Sequence, residues 1–204
     1  MNPFLFRDFY GALLTYEGSA VIADLIDPWL DVHADQCKAW FAQHSVAANE
    51  ERFGRRSQGD TGRSRQGDLL LRSLYAFSRV LDLLLLGSQR ELGQSDEVVK
   101  QNSWLGRDDP PPWTVTEGTG ELIHRFATTL GLSTSEAKTF DPFFHEIARV
   151  IPVPDVDRPI KVAQTVWPLI RAGDLIVARQ GVVVEASSRF AKPGVADRST
   201  LFWS

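Results

Sequence analysis

His33, Cys37, Trp40 and His44 stand four, three and four residues apart in the stretch DVHADQCKAWFAQH. On an α-helix that spacing places all four on one face. Two imidazoles and a thiol are zinc-binding chemistry, and ligands one turn apart commonly supply half of a tetrahedral shell. A rise of about 1.5 Å per residue, however, separates His33 from His44 by roughly 16 Å, so the two cannot share an ion. His33 and Cys37 are left as a metal pair, with Trp40 and Phe41 filling the space towards His44. The expectation is a packing stripe with polar ends and no metal, the His33–Cys37 pair being the alternative. Cys37 as a nucleophile has little support, because Asp31 and Asp35 outnumber Lys38 around it and acidic surroundings do not lower a thiol pKa.

A second constellation is the E-x-x-H pair of Glu121 and His124 in GELIHRF. Carboxylate-bridged di-iron bundles use that pair twice, with two further glutamates. FDPFFHEIARV offers Asp141, His145 and Glu146 in the wrong spacing for the second copy. No catalytic residue is assigned. The alternative is a mononuclear metal site or an acid–base site built from Glu121, His124 and His145, if two helices bring them face to face. The plainer role is Glu121 complementing a helix N-terminus and His124 closing a polar edge.

GRRSQGDTGRSRQG, residues 54–67, carries Arg55, Arg56, Arg63 and Arg65 among glycines and serines, with no apolar side chain. Guanidiniums and free backbone amides ahead of a helix suit a phosphate or an acidic partner. No P-loop is spelled out, and Asp68 at the helix start would compete with an anion. A solvated loop with binding arginines is the expectation. No G-x-S-x-G, H-E-x-x-H, G-x-G-x-x-G or paired C-x-x-C occurs either. Nothing calls for a cofactor.

These groups need elements to position them. Asn2-Pro3 and Asp27-Pro28 both read as helix starts, the second helix running through the stripe to about Phe53. Asp68 caps an almost wholly apolar helix, with Gly87 as its stop. A short helix is expected over 96–105, then a proline-rich connection, then a helix from about Gly118 to Leu130 stopped by Gly131. STSE at 133–136 reads as a capping box for a helix that Asp141-Pro142 restarts and that ends near Ile151. Pro159 opens a further helix to Ile170, kinked at Pro168. DLIVARQGVVVEAS, 174–187, reads as a β-hairpin turning at Gly181. The helix at 159–171, Gly173 and this hairpin together resemble the end of a winged helix-turn-helix.

The fold class expected is therefore mainly α, an all-alpha, compact multi-helix domain with a small C-terminal β-hairpin element. One domain spans 1–204: N-terminal helices over 1–53, the flexible loop 54–67, central helices over 68–172, and hairpin and tail over 173–204. Net charge is −4, which speaks against general nucleic-acid affinity. The charge is uneven, since residues 52–72 hold six arginines against Asp60 and Asp68, and 158–198 hold seven basic residues against three acidic ones. No apolar run reaches membrane-spanning length, the N-terminus does not read as a signal peptide, and one cysteine forms no internal disulfide. A cytoplasmic protein follows as an expectation.

The function expected is non-catalytic contact with another protein, as an adaptor, inhibitor or immunity-type neutralising protein. Six tryptophans supply anchors of the kind that dominate interfaces, and Trp104, Trp113 and Trp203 fall in or beside loops and termini. The alternatives are a nucleic-acid-binding regulator using the basic segments and the winged-helix-like part, and a small metal- or acid–base-dependent enzyme. No membrane partner is expected. Because nothing in 54–67 offsets the entropy of ordering it, limited trypsin digestion is expected to cut at Arg55, Arg56, Arg63 or Arg65 first. Earlier cleavage elsewhere would contradict this.

Overall fold

Leu5, Phe6, Phe9 and Leu13 recur at helical spacing, and they are the buried residues of helix α1, Leu5–Thr15. In this computed structural model the backbone is described for residues 5–53, 65–91 and 119–192, and side chains for 5–44, 71–85 and 120–192. After α1 a π-helical turn, Ile22–Ile26, runs directly into α2, Asp27–Phe53. Asp27-Pro28 is thus a junction, where the Asp27 N–H closes a wide turn on the Ile22 carbonyl. Helix α3 spans Arg65–Glu91, so Gly87 does not stop it, and α4 spans Thr119–Thr129.

Phe6 lies at the centre of the helical core, its ring 4.9 Å from Phe77 and 5.9 Å from Phe41. Phe77, Val80, Leu81, Leu83, Leu84 and Leu85 of α3 are all buried, as a helix contacted from several sides requires. From α4, Ile123, Phe126 and Ala127 close the same core. Each such side chain contributes about 1.5–3 kcal/mol on leaving water. The α4 terminus follows the expected stop. Gly131 takes φ 81°, and the Leu132 N–H bonds the Ala127 carbonyl at 3.0 Å.

Beyond α4 the mainly α, all-alpha expectation fails. The regular elements from 133 to 186 are strands: β1 Ser133–Ser135, β2 His145–Pro152, β3 Lys161–Trp167, β4 Leu169–Ala172, β5 Leu175–Ala178 and β6 Gln180–Ala186. They form two three-stranded sheets, β1-β4-β5 and β2-β6-β3, so the described fold mixes α and β. Neither the helix ahead of Ile151 nor the one over 159–170 forms, and the 68–172 segment is not all helix. With strand at 161–167, the winged-helix resemblance loses its helix. The hairpin exists but is longer and shifted. β3-β4 is one arm and β5-β6 the other, broken at Pro168 and Arg179, with the turn at Gly173 (φ 59°) and Asp174. β2 adds parallel to β6, and β1 antiparallel to β4. Ile170 and Ala172 of β4 join the helical core, while Val150, Val182, Val184 and Ala186 make a second core.

Gly181 is therefore mid-strand rather than a turn. It faces Trp167 across the ladder, and a Cβ there would overlap the indole, which is 1% exposed. Gly181→Ala should destabilise by about 1–3 kcal/mol in denaturant unfolding, because a close-packed ring must move. Gly11→Ala, in mid-helix with nothing within 4 Å of the new methyl, should stabilise by up to about 1 kcal/mol. Equal and small effects at both positions would contradict the packing described.

Candidate functional site

The stripe on α2 is committed to aromatic packing. His33 packs on Trp29 with ring centroids 5.2 Å apart, and Trp40 stacks on His44 at 5.3 Å. His44 Nδ1 also meets the Trp40 carbonyl at 2.9 Å. Cys37 between them is fully buried, and burial pushes its thiol up to about 12. Such a thiol is not a thiolate near neutrality.

Glu121 and His124 share the exposed face of α4, and His124 Nδ1 lies 3.1 Å from the Thr134 hydroxyl. His145 is only 3% exposed and belongs to a different network. Its Nε2 meets the Ala137 carbonyl at 3.1 Å, and its Nδ1 meets both the N–H and the carbonyl of Asp141, at 3.0 Å and 2.9 Å. Gln180, wholly buried, completes this clamp. Its Oε1 accepts the Ala137 N–H at 2.7 Å, and its Nε2 donates to the Ala137 carbonyl and to Thr165. The pair thus gives residue 137 the hydrogen bonds of a strand partner and pins the loop 136–144 to the sheet. Among the described residues no group of three or more His, Cys, Asp and Glu is arranged to hold a metal ion. Arg55, Arg56, Arg63, Trp104, Trp113 and Trp203 lie outside the described residues, as does the side chain of Arg65, whose backbone opens α3.

The charges that the fold does bring together are others. On α3, Arg79 and Asp82 form an ion pair one turn apart, their side chains 11% and 18% exposed. Burial outweighs the pairing and pushes Asp82 up to about 6, against the opposing pull of Arg79. Glu146 of β2 is half-buried. Burial, then the Asp82 charge, push its carboxyl up to about 8, with Arg179 opposing. The Tyr10 phenol of α1 is also raised by burial. Arg79 and Asp82 are detectable in sequence as the charged residues of LLLRSLYAFSRVLDLLLL; Glu146 and Gln180 give no comparable signal.

The surface carries a second arrangement. At the far end of the sheet β2-β6-β3, the 153–160 and 187–192 loops are stitched together. Ser187 Oγ donates to the Val156 carbonyl at 3.0 Å, and Arg189 pairs with Asp157 at 2.7 Å. Arg158 pairs with Glu185 at 2.7 Å, and Glu185 stands opposite Ile151 in the ladder. Val156 (59%), Phe190 (47%) and Ile151 (41%) are exposed within this frame, with the Arg189 guanidinium over the Phe190 ring at 5.5 Å. Two of the basic residues of 158–198 are therefore held in ion pairs here.

Comparison with protein families, curated proteins and solved structures finds no match to this chain. Among the described residues no helix is long and apolar enough to cross a membrane.

Cys37 should react with a thiol reagent at neutral pH only as fast as the protein unfolds, and Cys37→Ala should fold. Rapid labelling of the native chain would contradict the burial and the raised pKa.

Proposed function

We propose that this protein acts by contact with another protein, through the patch of Ile151, Val156 and Phe190. The observation that carries the reading is the way those side chains are held. Large apolar groups exposed singly are ordinary, but here Val156 and Phe190 stand on loops fixed by two ion pairs and a hydroxyl–carbonyl bond, and Ile151 stands at the adjoining end of β2. Ordering a mobile loop on binding costs affinity, and a loop ordered beforehand avoids that cost. An apolar centre with an aromatic ring, rimmed by arginine and carboxylate, is the composition of a protein interface. The mixed signs of the rim fit a protein surface better than a phosphate backbone, which calls for unpaired cations. This reading places the protein in the reducing cytoplasm, which its one buried thiol suits.

The test is a photo-crosslinking residue at 156 or 190 in the source cell, followed by binding measurements with the purified partner. Val156→Asp with Phe190→Ala should weaken binding tenfold or more, about 1.4 kcal/mol, with unfolding unchanged. Glu121→Gln with His124→Gln, both exposed, should leave function intact. If the patch variant binds normally while the α4 variant is folded and inactive, chemistry at Glu121 and His124 is the better account.

A further inference from the structure

We propose that Arg171 anchors a carboxylate-binding site on the outer face of the sheet β1-β4-β5. Ile170 and Ala172, on either side of it in β4, are buried in the helical core. Alternation along the strand therefore turns Arg171 to the opposite face. Residues paired across a ladder share a face, and those paired with Arg171 are Ser133 of β1 and Ile176 of β5. Two places along the chain in either direction stand Leu169 and Gly173. A cation of the middle strand is thus set among uncharged neighbours. Its Nε is buried and has no hydrogen-bond partner, and among the described residues no ion pair joins Arg171 to a carboxylate.

A buried donor without an acceptor loses its hydration for nothing, and native folds rarely leave one so. Elsewhere this fold supplies the acceptor itself: Arg125 pairs with Asp27, Arg158 with Glu185 and Arg189 with Asp157, each at 2.7 Å. At Arg171 the acceptor comes from outside the sheet, and the free group selects its kind. Nε–H and the adjacent Nη–H of a guanidinium form a planar fork that matches the two oxygens of a carboxylate. Ser133 adds a hydroxyl on the same face. It is exposed, and its Oγ donates to the Arg171 carbonyl at a long 3.4 Å, a bond easily given up to a ligand. Arg171 is half-buried, and rotation about its outer torsions brings the fork to the surface. One cation and one hydroxyl suit the single charge of a carboxylate better than the nearly double charge of a phosphate.

Titration of the full chain with sodium acetate tests this, followed by nuclear magnetic resonance on the Arg171 side-chain Nε–H and the Ser133 amide. The side-chain signal is assigned by its loss in Arg171→Lys, and sodium chloride at equal ionic strength is the control. Acetate should shift both signals to saturation and chloride should not. Arg171→Lys keeps the charge but loses the fork, so acetate affinity read on the Ser133 amide should fall tenfold or more. A peptide with one glutamate among uncharged residues identifies the source. Binding tighter than acetate supports the acidic side chain of a partner, and binding no tighter supports a free small carboxylate. Arg171→Met removes a donor that nothing in the free chain satisfies, so it should leave the unfolding midpoint without acetate unchanged or higher. No saturable shift with acetate, a tighter response to inorganic phosphate, or marked destabilisation by Arg171→Met would overturn the site.

Discussion

The seating of the Trp167 indole on Gly181 is the contact through which the two halves of the strand region are joined. A hairpin that starts on the helical core and ends on a separate core must bend between them. It does so where Pro168 has no N–H to give the ladder. The indole makes up the loss, since Trp167 Nε1–H donates to the Arg179 carbonyl at 2.8 Å on the opposite arm. Only a residue without a Cβ leaves room for that ring at 181. The bend held in this way leaves β4 available to β1 and β6 available to β2.

Glu146, Gly181 and Trp167 fall in one row across the sheet. The carboxyl at the seam is therefore part of the same arrangement as the bend, and its desolvation follows from where the row lies. Neutral, it costs little to bury; charged, it costs far more. The opposite end of the same sheet is organised differently. There the ion pairs Arg158–Glu185 and Arg189–Asp157 are at the surface, where each adds little stability but several together fix two loops. One sheet thus has one end packed on the helical core through Val166 and Trp167 and a fixed apolar end facing outward.

The helices were legible in the sequence because their cues are local: apolar spacing in α1, the stop at Gly131, the stripe through Phe41. The strands were not, and the reason is their irregularity. In β2 the buried residues are His145, Ala148 and Val150, a spacing of three and then two that a bulge creates and that resembles a helical period. β3 carries two such slips, after Val162 and after Thr165. The Val and Thr content of 159–170 was the signal pointing to strand. Gly181 suggested a turn because glycine more often marks conformational freedom than room for a ring, and the turn itself uses Gly173. At the candidate sites, Cys37 and His124 could be placed from spacing alone. The clamp of His145 and Gln180 and the action of the Asp82 charge on Glu146 join residues 35 and 64 positions apart, and only tertiary structure couples them.

The most direct check on this account is the titration of the Glu146 side-chain carboxyl carbon by nuclear magnetic resonance, assigned by its loss in Glu146→Gln. A seam of the kind described gives a midpoint near 8, because burial and the Asp82 charge hold the proton. A midpoint in the ordinary carboxylate range, about 4.3, would show the Glu146 carboxyl solvated and would contradict its burial in the sheet.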